Sequence, residues 1–208
     1  MNDLSDVEVR VLGALLEKQR LTPDAYPLTL NGLRLACNQS TSRDPITHHD
    51  DATIREALDR LHARGYSRLA SGAGSRAPKY RHLLAETLGL DDGELSLLAV
   101  LALRGEQTAA ELRMRSERMH VFPSQEAVDA TLENLAHRSL AMLHERRPGE
   151  KAARWGHLLS GRGEPSVHHP PSAPPPSPAS PDRIGRLEQD VADLRAAVEE
   201  LRDLIERR

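Results

Sequence analysis

Cys37, the pairs His48-His49 and His168-His169, and 25 arginines are the residues of this chain best equipped for chemistry. Cys37 offers a nucleophile, but it stands one turn after Leu33 on an apolar helical face. No histidine is fixed beside it by local spacing, which reads as a buried small hydrophobe. His48-His49-Asp50-Asp51 crowds four metal-type ligands together, yet neighbouring side chains in a loop rarely converge on one ion. The usual zinc spacings are also missing. His168-His169 lies in a proline-rich stretch and carries no argument. Gly72-Ala73-Gly74 is followed by a strand and no helix, so it is a hairpin tip and not a phosphate-cradling loop. Nucleophile elbows and paired catalytic carboxylates do not occur. The expectation is a non-enzymatic protein with no catalytic site, cofactor or metal.

The arginines point elsewhere. Between residues 50 and 81, Arg55, Arg60, Arg64, Arg68, Arg76, Lys79 and Arg81 face Asp50, Asp51, Glu56 and Asp59, and the cationic excess falls on the hairpin. The matching stretch downstream has Arg138, Arg146, Arg147, Lys151 and Arg154 against Glu126, Asp129, Glu133, Glu145 and Glu150. Its helix would be repelled by phosphate. If nucleic acid is bound, the first stretch binds it, through Arg55, Arg64, Arg68, Arg76, Lys79 and Arg81. The alternative is that these cations are only a solvated face.

Two stretches position those charges, and they are written alike. Ile54, Leu58 and Leu61 recur at helical spacing, as do Val128, Leu132 and Leu135, which predicts an amphipathic helix in each. Arg64-Gly65 and Arg138-Ser139 end these helices, and alternating residues follow as a strand begins. The return strands are expected at Lys79-Tyr80-Arg81-His82-Leu83 and Arg154-Trp155-Gly156-His157-Leu158-Leu159. Upstream, Ser5-Asp6-Val7-Glu8 is a capping box for a helix with the stripe Val7, Val11, Leu12, Leu15 and Leu16. A second helix is expected from Leu28 to Asn38. Leu90-Asp91-Asp92-Gly93-Glu94 starts the order again, followed by a helix from Ala109 to about Met119 and a third opened by Pro123-Ser124. The register shift is 86 residues from Leu4 to Leu90 but 74 from Ile54 to Val128, so the first copy carries 12 extra residues. They are expected around Tyr26-Pro27 and from Arg43 to His49, where an insertion costs the fold little and serves binding.

From residue 161 to 182 the composition turns to Pro, Ser, Ala and Gly, which predicts a disordered linker. Beyond it Ile184, Leu187, Val191, Leu194, Val198, Leu201 and Ile205 alternate in steps of three and four. With β-branched residues at a and Leu at d, this is the seam of a parallel dimeric coiled coil. The other reading is a lone amphipathic helix folding back on the domains. Two small domains suit a chain of 208 residues with a hydrophobic fraction of 38% and five aromatic residues. A net charge of -3 argues against a surface that grips nucleic acid all over. The single cysteine, the lack of a basic and apolar leader, and the absence of a long apolar run suggest a cytoplasmic protein.

Several longer motifs resemble the YceH-like bacterial proteins, a family of unknown function. They are Leu16-Glu17-Lys18-Gln19, Thr22-Pro23-Asp24-Ala25-Tyr26-Pro27-Leu28, Leu35-Ala36-Cys37-Asn38-Gln39 and Arg43-Asp44-Pro45. Leu103-Arg104-Gly105-Glu106-Gln107-Thr108, Glu111-Leu112-Arg113 and Arg118-Met119-His120-Val121-Phe122 match further on. The resemblance runs from Leu4 to Leu159 and implies a pair of winged-helix domains, with DNA binding suggested by that fold alone. Where the family often has Lys after Cys-Asn-Gln, this chain has Ser40. The first-copy loop is read as a shared surface formed by Tyr26, Asn38, Gln39 and Arg43.

The reading is therefore mainly α with small β-hairpins: winged-helix domains over residues 1–86 and 87–160, a linker over 161–182 and a coiled-coil helix over 183–208. The expected partners are a second copy through the C-terminal helix and either double-stranded DNA or a protein. No membrane is involved.

Overall fold

The computed structural model describes residues 3–70 and 77–160, all within one contact-defined unit, Met1–Gly163. The expected hairpin tip with Arg76, the linker and the coiled-coil seam lie outside the described residues.

Helix α1, Asp6–Leu21, starts at the capping box: Ser5 Oγ accepts from the Glu8 amide at 3.3 Å and Glu8 Oε2 accepts from the Ser5 amide at 2.6 Å. It buries Val9, Val11, Leu12, Leu15 and Leu16, and runs one turn further than its stripe suggested. Thr22 and a single 3-10 turn, Pro23–Ala25, end it. Strand β1, Leu28–Thr29, then precedes helix α2, Leu30–Cys37. The helix expected from Leu28 thus begins two residues later, because the Thr29 hydroxyl caps it by accepting from the Gly32 amide at 3.1 Å. Helix α3, Asp51–Ala63, is capped by Asp50 and turns Ile54, Ala57, Leu58 and Leu61 inward. It closes at Gly65, whose φ of 76° suits a residue without Cβ. Strands β2, Ser67–Leu69, and β3, Lys79–His82, pair antiparallel, and β1 adds to β3 to give the order β1-β3-β2.

A short helix that the sequence pattern did not announce, α4 at Leu84–Leu88, seats Leu84 in the core and stops at Gly89. The expected boundary at residue 86 falls inside it. Helices α5, Asp92–Arg104, α6, Ala109–Ser116, and α7, Gln125–His137, follow, with strands β4, Ala141–Leu143, and β5, Trp155–His157, as an antiparallel pair. Helix α6 stops three residues short of its expected end, and the amides of Met119 and His120 turn back on the Ser116 carbonyl.

The second set repeats the first in detail. Asp91, Thr108 and Ser124 cap its helices where Ser5, Thr29 and Asp50 cap the earlier ones. The shift is 86 residues at the first cap, 79 at the second and 74 at the third. The 12 extra residues therefore divide as seven between α1 and α2 and five between α2 and α3. Ser139 takes the left-handed turn of Gly65, with φ of 55°. His82 lies opposite Ser67 just as His157 lies opposite Ala141.

The apolar core is continuous from Leu4 to Leu159. Helices α1 and α5 form its centre. A Cβ on Gly13 would stand 2.9 Å from Ala102 Cβ and 3.0 Å from Leu103 Cγ, so glycine permits the close approach. Two backbone bonds also tie the sets together: the Leu4 amide to the Leu159 carbonyl at 3.0 Å, and the Asp44 amide to the Leu103 carbonyl at 2.9 Å.

Candidate nucleic-acid interface

Alternation along β2 and β3 sorts their side chains by face. Ser67 and His82 point inward and are buried, and Tyr80 and Leu28 pack on the core. Arg68 and Arg81 are cross-strand partners on the opposite face, with Lys79 beside Thr29 of β1. The sheet therefore gathers three of the expected cations on one side. Arg81 is ion-paired with Glu86, while Arg68 and Lys79 have no carboxylate partner among the described residues. Arg55 is exposed on the first turns of α3 and is likewise without a carboxylate partner among the described residues. Arg64 belongs to the far end of that helix, roughly 14 Å along its axis at 1.5 Å per residue. There it pairs with Asp3, which raises its guanidinium further above neutrality. Arg55 and Arg64 are thus not one patch.

Two features of this surface were missed. Thr29 brings a third strand to the cationic sheet, although only a lone β-branched residue after Tyr26-Pro27-Leu28 signalled it. Arg34 of α2 pairs with Asp51 at 2.7 Å, so the opening turn of α3 is tied to the helix before it.

Of the set Tyr26, Asn38, Gln39 and Arg43, the first three are half-buried, and Arg43 corrects the expectation of a surface residue at 6% exposure. Its Nη1 and Nη2 donate to Glu17 Oε1 and Oε2 at 3.1 and 2.6 Å, its Nε to the Ala36 carbonyl at 3.0 Å, and Nη2 also to Gln39 Oε1 at 2.8 Å. Burial works to raise the Glu17 carboxyl, but the Arg43 hydrogen bonds and charge outweigh it and hold the group below its ordinary value. Asn38 clamps the far side of the loop, donating to the His49 carbonyl at 2.8 Å and accepting from its amide at 2.9 Å. The Tyr26 hydroxyl accepts from the His82 amide at 2.9 Å, and burial pushes its pKa up to about 12. These side chains shape the loop from within. A buried backbone needs partners for its amides and carbonyls, and the inserted polar residues supply them.

The remaining reactive groups have structural roles. Cys37 is fully buried, and burial pushes its thiol up to about 12, away from the thiolate that attacks. Asp50 caps α3 and Asp51 pairs with Arg34, so the run from His48 to Asp51 is divided between separate tasks. His82 is held neutral: burial lowers its pKa to about 4, Nε2 donates to Gln19 Oε1 at 2.5 Å, and Nδ1 accepts from the Leu84 amide at 3.2 Å.

In the second set three cations of α7 and the hairpin are matched, while Arg146 and Lys151 have no carboxylate partner among the described residues. Arg147 pairs with Glu106 at 2.7 Å, Arg154 with Glu111 at 3.1 Å and Glu150 at 3.2 Å, and Arg138 with buried Glu94 at 3.1 Å. Helix α7 presents Glu126 and Glu133 to solvent. Among the described residues no helix is long and apolar enough to cross a membrane.

A family model described as "Protein of unknown function, DUF480" matches residues 4–150. A UPF0502 protein of Geotalea daltonii is 48% identical over 194 residues, covering 90% of this chain and 88% of the relative. One from Opitutus terrae is 47% identical over 195 residues, with 92% and 83% covered, and one from Chromobacterium violaceum is 45% identical over 199 residues, with 95% and 90% covered. The resemblance seen in the motifs between Leu4 and Leu159 is thereby established, and the chain belongs to this bacterial family of unknown function, DUF480 or UPF0502.

Proposed function

We propose that the chain is a non-enzymatic, cytoplasmic tandem winged-helix protein that binds double-stranded DNA through its first set, α1 to β3, and takes part in transcription. In this reading α3 enters the major groove from its Arg55 end, and the sheet bearing Arg68, Lys79 and Arg81 rests on the backbone. The observation that carries it is the placement of the cations. Arg68, Lys79 and Arg81 stand on one face of the first hairpin's strands, whereas the strands of the second, Ala141–Leu143 and Trp155–His157, carry no Arg or Lys. The Arg81–Glu86 pair is no obstacle, since an exposed pair contributes little and a phosphate can replace the carboxylate. The C-terminal heptads make the protein a homodimer, so two such surfaces act on one duplex.

Fluorescence anisotropy of a labelled duplex against salt tests this. The full-length protein should show log affinity falling with log salt by about 0.9 for each phosphate contacted. Changing Arg68, Lys79 and Arg81 together to Ala should flatten that slope by roughly two to three. A salt-independent affinity, or a slope unchanged by the triple variant, would discard the DNA reading.

A second reading, a protein-interaction scaffold, is favoured by one observation. Met114 and Val121, 64% and 73% exposed, flank a cleft of about 400 Å³ beside α6 and α7 of the acidic set. Single exposed apolar residues are ordinary, but two at the rim of a cleft suit a partner side chain.

A further inference from the structure

A second cleft, of about 220 Å³, lies where the two sets meet. Its walls come from the C-terminal ends of α1 and α5, the loop at Ser42, and α6 with the turn after it. Leu21, Val100, Leu103, Met114 and Met119 give it an apolar lining, and Arg104, Arg115 and Arg118 stand around it. The proposed DNA surface uses none of these residues.

The charge balance is unusual. Glu17 is a carboxylate of the wall, and both its oxygens are already held by Arg43. Arg115 reaches Glu111 Oε1 at 3.5 Å, and Arg154 holds the other oxygen, Oε2, at 3.1 Å. Arg104 and Arg118 have no carboxylate partner among the described residues. Helices α5 and α6 both end here, and each C-terminus supplies at most about half a negative charge, so with Glu111 beside Arg115 the three guanidiniums keep a surplus of about one positive charge. Burial first, and then the charges of Arg115 and Arg43, push the Arg104 guanidinium below its ordinary value. The Glu17 and Asp44 carboxylates work the other way but are outweighed, and an anion in the cleft would relieve the balance. Ser42 adds a hydroxyl at the rim, on a backbone held at φ of 60°, where a residue with a side chain is uncommon.

We propose that this cleft is a binding site for a small phosphorylated organic molecule, its phosphate held by Arg104, Arg115 and Arg118 and its apolar body against the methionines and leucines. Guanidinium forks match phosphate oxygens in pairs, and three forks offer more donors than the two oxygens of a carboxylate can use. The volume is below the range of about 300–1,000 Å³ usual for drug-sized ligands, which sets the occupant near ten non-hydrogen atoms. DNA is the poorer fit, because Arg104 and Arg115 are half-buried among the apolar residues of the cleft, whereas backbone contacts need cations that protrude. This site stands independently of the DNA-binding reading.

Calorimetric titration of the full-length protein with phenyl phosphate tests it, with phenol as the neutral control. One phenyl phosphate should bind per chain, at least about tenfold more tightly than phenol, and the double change Arg104→Gln with Arg115→Gln should weaken it about tenfold or more. Arg146→Gln, an exposed cation elsewhere, should leave it unchanged. If the double variant fails to fold, Arg118→Glu at its exposed position carries the same expectation of a tenfold loss. The proposal is overturned by no saturation at about 10 mM probe, by a folded double variant or Arg118→Glu that binds as the parent does, or by equal loss in Arg146→Gln. Displacement of phenyl phosphate by one equivalent of duplex DNA would also overturn it, assigning the guanidiniums to the nucleic-acid backbone.

Discussion

The two helix-and-hairpin sets share a skeleton and differ in charge. Their helix caps, left-handed turns and strand registers coincide, yet the strands of one carry Arg68, Lys79 and Arg81 on a single face while those of the other carry no Arg or Lys. Buried and capping positions set the shape, and exposed positions set what the shape can touch. Glu94 of the second set is gripped by Arg138, whereas its counterpart Glu8 keeps one oxygen without a partner and the counterpart Arg64 turns outward to Asp3. Equivalent skeletons therefore do not force equivalent ion pairs.

The largest expected break in the comparison is at Arg43, which has no counterpart in the shorter second-set loop. Arg43→Met leaves the buried Glu17 carboxylate with Lys18, at 3.3 Å from one oxygen, as its remaining partner, so urea unfolding should show a loss of about 3 kcal/mol. A loss under about 1 kcal/mol would mean that the loop is not held from inside.

Next are the paired histidines. Both imidazoles are neutral in the fold, with pKa lowered by burial from 6.5 to about 4. Below pH 6.5 the unfolded chain takes up protons that the folded chain refuses. Stability is therefore full above about pH 6.5 and falls as the pH drops towards 4. Between pH 7.5 and 4.5 each histidine should cost about 2.5 kcal/mol, less for His157, whose residue keeps some surface. Urea melts of His82→Gln should lose more of this slope than those of His157→Gln; equal slopes in all three proteins would refute the shared role.

Gly13→Val comes third. It drives a side chain into Ala102 and Leu103, and overpacking of this kind costs about 1–3 kcal/mol. Parent and variant should each unfold in one transition by circular dichroism, since the core is continuous. Two transitions in the parent would show that the sets fold apart.

The smallest effect sharpens the symmetry. Thr29→Ala and Thr108→Ala each remove a helix cap and should cost about 1 kcal/mol, within a few tenths of each other. A difference larger than that in chemical melts would mean that the second cap is supported by Glu111, which bonds back to Thr108, while Thr29 has no such companion.

Much of this architecture was legible because periodicity and caps are local signals. The stripe Ile54, Leu58, Leu61, the box at Ser5 and Glu8, and the repetition at Leu90 all act within a few turns of the chain. What was not legible depends on partners distant in sequence. Strand β1 exists because Leu28 and Thr29 meet Tyr80 and Lys79, some fifty residues on, and two residues carry no alternation to read. Arg43 looks like any loop cation until Glu17 is brought to it. The Arg104 cleft likewise arises only when the ends of α5 and α6 meet the end of α1.

With the backbones of α1 and α5 pressed together at Gly13, neither set can swivel against the other without opening a void, so both turn as a single lever. The sheet bearing Arg68, Lys79 and Arg81 and the acidic helix α7 are thereby carried on one continuous core.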